Sequence, residues 1–197
     1  MIHPNTELAL INETIGHGVI ATKFIPRGTI IWVLDELDQK LAASYVASLD
    51  PLIQKVLTKY CYRDYQGYYI LCWDIARFVN HSFTPTMIGT AYNFELAVRD
   101  IYPGEELTDD YGYFNLDQPF DCLPEPDSLR MRVMPDDILN FYQDWDQKAA
   151  TAMRLVPTVD QPLLRFMDAE LRAKVGAIAA GQEPMDSILS IATDFLN

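Results

Sequence analysis

The pattern of apolar residues in this chain changes character after Tyr113, and that change limits the fold more than any other feature. Before it, short runs rich in β-branched residues alternate with turns. Val19 to Thr22 leads into Pro26-Arg27-Gly28 and then Thr29 to Val33. Tyr68 to Cys72 and Met87 to Thr90 are further strands, and Asn93 to Asp100 alternates with Phe94, Leu96 and Val98 on one face before the turn Pro103-Gly104. One stretch in this half, from about Leu37 to Tyr60, carries Leu41, Tyr45, Val46 and Leu49 at helical spacing. Pro51 opens a second helix there through Ile53, Val56 and Leu57.

After Tyr113 the pattern is different. Residues 115–135, rich in Pro and Asp, form an irregular connector. From Pro135 the spacing is helical: Ile138, Phe141, Tyr142 and Trp145 share one face. A second helix starts at Pro162, carries Leu164, Met167, Leu171, Val175 and Ile178, and stops at Gly181. A third runs from about Pro184 to Leu196. The pattern predicts a mainly β fold with an α-helical C-terminal extension.

At 197 residues, 49% of them hydrophobic, the chain can bury a full core. Its net charge of −13 offers no basic stripe for phosphates, so direct nucleic-acid binding is not expected. An acidic surface attracts basic protein segments, and equally serves solubility. Cys61, Cys72 and Cys122 are too few and too far apart for a disulfide framework. His3, His17 and His81 share no metal-ligand spacing. No apolar run reaches the ~18 residues of a membrane span and no leader pattern opens the chain, so a soluble, reducing compartment is expected, with no membrane partner.

Three segments carry chemistry. Gly16-His17-Gly18 precedes a strand, where glycines let a ligand approach the backbone, although most such triplets are turns. Asn80-His81, within Arg77 to Pro85, sets an amide beside an imidazole, or is a surface turn leading into Pro85. Gly104 to Gly112 reads as a turn, a short strand and an acidic end closing on Tyr111. Its carboxylates have no second acidic cluster to support glycoside hydrolysis or a calcium loop.

Together these segments resemble the SET-domain family of protein lysine methyltransferases. "GHGVIATKFIPRGT" from Gly16 is similar to that family's opening segment, "RFVNHSFTP" to its RFxNHSCxPN signature, and "AVRDIYPGEELTDDYG" to its closing segment. The resemblance spans residues 14–122 and implies a β-clip fold of small curved sheets with a pseudoknot. Residues 1–122 would be the catalytic domain, with the helical insert at about 37–60. Residues 123–134 would be a connector replacing the family's zinc-binding element, and 135–197 a helical extension.

The resemblance implies S-adenosylmethionine as cofactor, held by Gly16, His17, Gly18, Asn80, His81, Tyr111 and Phe120. It makes Tyr111 the catalytic tyrosine and places Asp109 and Tyr113 along the substrate channel. Asp109 stands where the family has Phe or Tyr, Phe83 replaces a Cys and Thr86 an Asn. Of the CxCxxxxC element only Cys122 is kept, with Pro124 and Leu129 at the other two places, so no metal is expected. Phe120 and the C-terminal helices are then the candidates to close over the cofactor. The implied substrate is a lysine in a basic protein or peptide, such as a histone. A non-catalytic binding module and a methyltransferase for another acceptor are the competing readings. The C-terminal helices are also compatible with a homodimer contact. The implied location is cytoplasmic, with nuclear or secreted-effector locations equally compatible.

Overall fold

A computed structural model of the chain describes residues 1–193. Its strands and helices follow in chain order. The first half holds β1 (Thr6–Asn12), β2 (Gly16–Ala21), β3 (Ile30–Val33), β4 (Gln39–Leu41), α1 (Ala43–Ser48), α2 (Pro51–Tyr60), β5 (Cys61–Arg63) and β6 (Tyr69–Leu71). Then come β7 (Asn80–His81), β8 (Met87–Gly89), β9 (Phe94–Ala97), β10 (Glu106–Asp109), β11 (Phe120–Asp121), β12 (Arg132–Val133), α3 (Asp137–Met153) and α4 (Ala169–Ala179).

The strands form small separate sheets, as a β-rich fold of this kind requires. The β1–β2 hairpin turns on Asn12, whose Oδ1 accepts from the amides of Thr14 and Ile15 at 2.9 Å, and on Gly16 at φ +87°. Strand β10 then enters beside β2, with Leu107 opposite Val19, and runs parallel to β7 on its other edge. The order β1-β2-β10-β7 sets the closing segment between the opening segment and Asn80-His81. A second sheet, β3-β9-β8, lies beneath, and β4-β6-β5 carries the insert.

Several elements differ from the sequence expectation. Strand β1 was not evident, because Leu8-Ala9-Leu10-Ile11 is a short unbroken apolar run without the alternation of a half-buried strand. The helical insert starts later than Leu37: Gln39–Leu41 pairs with β6, placing Leu41 opposite Tyr69. Pro51 does open α2, where the Asp50 carboxylate accepts from the Leu52 amide at 2.8 Å. The helix expected from Pro162 begins at Ala169, because Asp168 caps the Leu171 amide at 2.7 Å; Leu164–Phe166 makes only a 3-10 turn. In place of a third helix, the described part of 184–196 holds a 3-10 turn at Ile188–Ile191, and residues 194–196 lie outside the described residues.

The core has three contiguous parts. Val19, Ile31, Met87, Ala97 and Leu107 pack between the sheets. Ile30, Val33, Phe94 and Leu96 take Ala152, Met153, Val175 and Ile178 of the extension against them. Ile88 and Tyr113 take Ile138, Trp145, Ala149 and Ile188. Each fully buried aliphatic side chain contributes roughly 1.5–3 kcal/mol, so the extension is part of the domain's core. Gly28, at φ +89°, makes its docking possible, since a Cβ there would come within 2.5 Å of the Leu155 Cβ. Gln161 locks the same junction, accepting from the Ile30 amide at 2.9 Å and donating to the Gly28 carbonyl at 2.8 Å.

Candidate active site

Two short turns aim the chemical groups. Asp74 caps the 3-10 turn Ile75–Phe78 and so fixes where β7 begins. Asp110 caps the 3-10 turn Tyr111–Tyr113, accepting from the Gly112 amide at 3.0 Å. The parallel pairing of Asp109 with His81 brings the two turns together. Tyr111 then donates its amide to His81 Nδ1 at 3.1 Å and its hydroxyl to the Val79 carbonyl at 2.5 Å.

Tyr111 forms part of the wall of a cleft of about 510 Å³, with Trp32, Tyr62, Val79, Met87 and Phe114 among its apolar surfaces. Burial, reinforced by Asp109, Glu95 and Glu106, raises the Tyr111 hydroxyl above the usual phenol range, so it stays neutral. Asp109 also lines this cleft, as expected of a channel residue, and is 1% exposed. Its Oδ1 accepts from the Tyr113 hydroxyl and, at 2.9 Å, from the Asp110 amide. Tyr113 itself lies behind this wall and not in the main cleft. Its hydroxyl accepts from the Gly89 amide at 2.7 Å while holding Asp109, so it positions the carboxyl and does not meet a ligand in this cleft.

Next to Tyr111 stand His81 and Phe120, two of the residues expected to hold a cofactor. His81 is kept neutral mainly by burial, with Arg130 acting in the same sense against Asp110 and Glu125. Its Nδ1 accepts from Tyr111, so its Nε2 carries the proton, and that buried atom has no partner among the described residues. Rings of Phe83, Tyr111 and Phe120 stand around it at 4.3, 5.4 and 5.8 Å. An unanswered N–H inside an aromatic collar fits a ligand with polar heteroaromatic edges, which S-adenosylmethionine has. Asn80 serves this site differently from the expectation: its amide nitrogen donates to Glu106 at 2.7 Å and to the His17 carbonyl at 3.1 Å, so its amide oxygen is what it can offer. Gly18 is likewise required by the protein, since a Cβ would lie 2.3 Å from Glu106 Oε1 and 2.7 Å from Asn80 Nδ2. Gly16 has open space at its Cα, and His17 is exposed. Of the expected cofactor residues, only Tyr111 and Phe120 line the large cleft.

The connector closes on this site by means the sequence did not show. Glu125 accepts from the Ser82 hydroxyl at 2.8 Å and the Phe83 amide at 2.9 Å, pinning the loop after His81. Arg130 bonds Asp110 at 2.5 Å and Asp137 at 2.6 Å, with its guanidinium between the rings of Phe83 and Phe141 at 4.3 and 4.2 Å. Phe83, where a cysteine was expected, is thus one wall of an ionic staple. Among the described residues, no group of three or more His, Cys, Asp or Glu is placed to hold a metal. Phe120 packs beside His81 and Tyr111, and no residue of α3 or α4 lines the cleft.

Glu95 and Trp32 were also missed. Both line the cleft, facing each other across the β3–β9 pairing. Trp32 is 4% exposed, and its indole N–H has no partner among the described residues. The signal for Glu95 was its strand: Phe94, Leu96 and Ala97 are all buried, so both faces of β9 are covered and an acid there faces inward.

The SET domain family model matches residues 16–112, beginning at the first glycine of β2 and ending one residue past Tyr111. No curated protein matches the chain. The matched range contains all three segments that β2, β7 and β10 draw into one sheet, and residues 16–112 are a SET domain.

Proposed function

We propose that this protein transfers a methyl group from S-adenosylmethionine to the side-chain amine of a lysine in a basic protein segment. The observation that carries this reading is the place of Tyr111. Tyr111 lines the large cleft and its amide is bound to His81, whose unpartnered Nε2 stands among the rings of Phe83, Tyr111 and Phe120, so a nucleophile in the cleft and a methyl donor held at His81 would meet at Tyr111. His81, the Asn80 oxygen, the Gly16–Gly18 backbone and Phe120 would hold the cofactor, which supplies an electrophilic methyl on a sulfonium.

The protein's part is alignment and exclusion of water. In-line displacement gains most from holding the two reactants in register. The Tyr111 hydroxyl, fixed by Val79, orients the amine through its oxygen and stays protonated because of its raised pKa. Trp32, Tyr62 and Phe114 supply apolar walls for a lysine stem. The amine must be neutral when it attacks, which costs roughly 4–5 kcal/mol at pH 7 from lysine's reference pKa. The net charge of −13 favours a basic partner segment, histone tails among them. No helix of the described residues is long and apolar enough to cross a membrane.

One observation favours a second reading, a SET-like module that binds without transferring. Glu95 and Asp109, two of the three acidic side chains that line the cleft with Lys59, Arg63 and Arg77, are also what a pocket retaining an ammonium ion would carry. Transfer of labelled methyl from S-adenosylmethionine to core histones and to cell lysate separates the two. Label on lysine is expected with the native protein, and Tyr111→Phe is expected to lower it about a hundredfold or more while cofactor binding persists. Cofactor binding with no label in any arm would establish the module.

A further inference from the structure

The cleft contains two acids that the alignment mechanism does not use. Glu95 on β9 and Asp109 on β10 line the same cleft, close enough that each carboxyl shifts the other's pKa. Asp109 Oδ1 is saturated by Tyr113 and the Asp110 amide, but its buried Oδ2 has no donor. Two carboxylates this close in a poorly solvated site cannot both be ionised, so the pair holds one proton and a single negative charge.

The phenols and the thiol packed around the pair do not compete for this proton. Tyr62 from β5, Tyr111 and Tyr113 after β10, and Cys72 after β6 are all raised by burial and stay neutral. The charged groups around the pair are the Met1 ammonium, Asp110 and the other charged side chains lining the cleft, Lys59, Arg63, Arg77 and Asp117. Burial raises Glu95 to about 7, and burial with Glu95 beside it raises Asp109 well above the carboxylate range.

We propose that Glu95 and Asp109, sharing one proton, are the acceptor that takes the proton from the substrate ammonium inside the cleft. This deepens the methyltransferase reading and rests on it. In the step, an N–H bond of the ammonium breaks and an O–H bond forms on Glu95. The nitrogen keeps the electron pair, and the acid pair goes from one proton to two. The ammonium loses its positive charge as the pair loses its negative one, so the site's net charge is unchanged. Asp109 in place of an aromatic residue therefore does not trap a charged amine: it is the protonated partner that lets Glu95 act as base. The orphaned Trp32 indole N–H in the same wall is a donor available to the oxygens of this site.

The test uses n-butylammonium as a lysine side-chain probe, with infrared difference spectra recorded at pH 7. Native protein should gain absorption from a protonated carboxyl on adding the probe, shifting in heavy water. Glu95→Gln and Asp109→Asn should not show the gain. No gain with native protein, or the same gain in both variants, overturns the proposal. In methyl transfer to a lysine peptide, the native rate should fall as pH drops through the pair's titration near neutrality. With Glu95→Gln the fall should move at least one unit higher, leaving the rate at pH 7 about tenfold lower or less, with KM changed little. An unchanged pH profile also overturns the proposal. An infrared response without methyl transfer would remove the enzymatic reading and leave the proton acceptor as an ammonium-binding device. Transfer without the infrared response would remove the acceptor alone.

Discussion

Glu95 illustrates how one side chain can oppose stability in order to serve a site. Its pKa is raised to about 7 by burial, whereas an unfolded chain leaves a glutamate near its ordinary value. Between those values the folded protein binds more protons than the unfolded one, so its stability falls as pH rises through the interval. The loss is complete once pH exceeds the folded value. Glu95→Gln removes the titration without removing the volume. The variant is expected to be more stable than the native protein at pH 8, by about 1–3 kcal/mol, and nearly equal to it at pH 4. Urea denaturation at the two pH values measures this, and a gain that is the same at both would show that packing and not ionisation is responsible. His3 acts at the other end of the range. Burial lowers it to about 4 against the opposing pull of Asp160, so the unfolded chain takes the proton first and stability declines as pH drops below about 6.5.

Among the elements, the connector between β11 and α3 shows where sequence reading stops. Short strands were legible because Val19, Ile31 and Leu96 belong to β-branched or alternating runs, and the three motif segments identified the sheet that β10 joins. Residues 115–135 offered only turn-formers and one cysteine of a lost element. What replaces that element is a set of long-range ion pairs and ring contacts, and no local period encodes those. Arg130 is seven residues from Asp137 but twenty from Asp110, and Phe83 and Phe141 reach it from opposite sides. The same reason hid Glu95 and Trp32, whose cleft position depends on β3 and β9 pairing across a long gap. The ionic staple has a definite cost when broken. Asp110 and Asp137 have side chains 1% and 6% exposed, so Arg130→Met should leave two buried carboxylates without their cation and destabilise the protein by about 3–5 kcal/mol. Adding Asp137→Asn should recover part of that loss in the same urea titration. No recovery would mean that the ring contacts, and not the charges, hold the connector.

At the scale of the whole molecule, the question is whether the helical extension is an addition to the SET fold or a part of it. Its docking is apolar and extensive. Met153, Val175 and Ile178 cover Ile30, Val33, Phe94 and Leu96 on the β3–β9 sheet, while Ile138, Trp145 and Ile188 cover Ile88 and Tyr113. Removing it would expose both groups of core residues at once, and each large aliphatic or aromatic side chain returned to water costs roughly 1.5–3 kcal/mol. A domain's total stability is commonly about 5–15 kcal/mol, so the loss exceeds what the remaining sheets can bear. The effect also reaches the site through Tyr113, which packs on Trp145 with ring centroids 5.3 Å apart and holds Asp109 from behind. A chain ending at Met134 is therefore expected to lose its cooperative thermal transition and its near-ultraviolet circular dichroism, and not merely its catalytic turnover. An extension that only padded the surface would leave both signals in place and lower the midpoint by a few degrees. A cooperative transition in the shortened chain, together with unimpaired S-adenosylmethionine binding, would show that the sheets form the site alone and that α3 and α4 evolved to do something else.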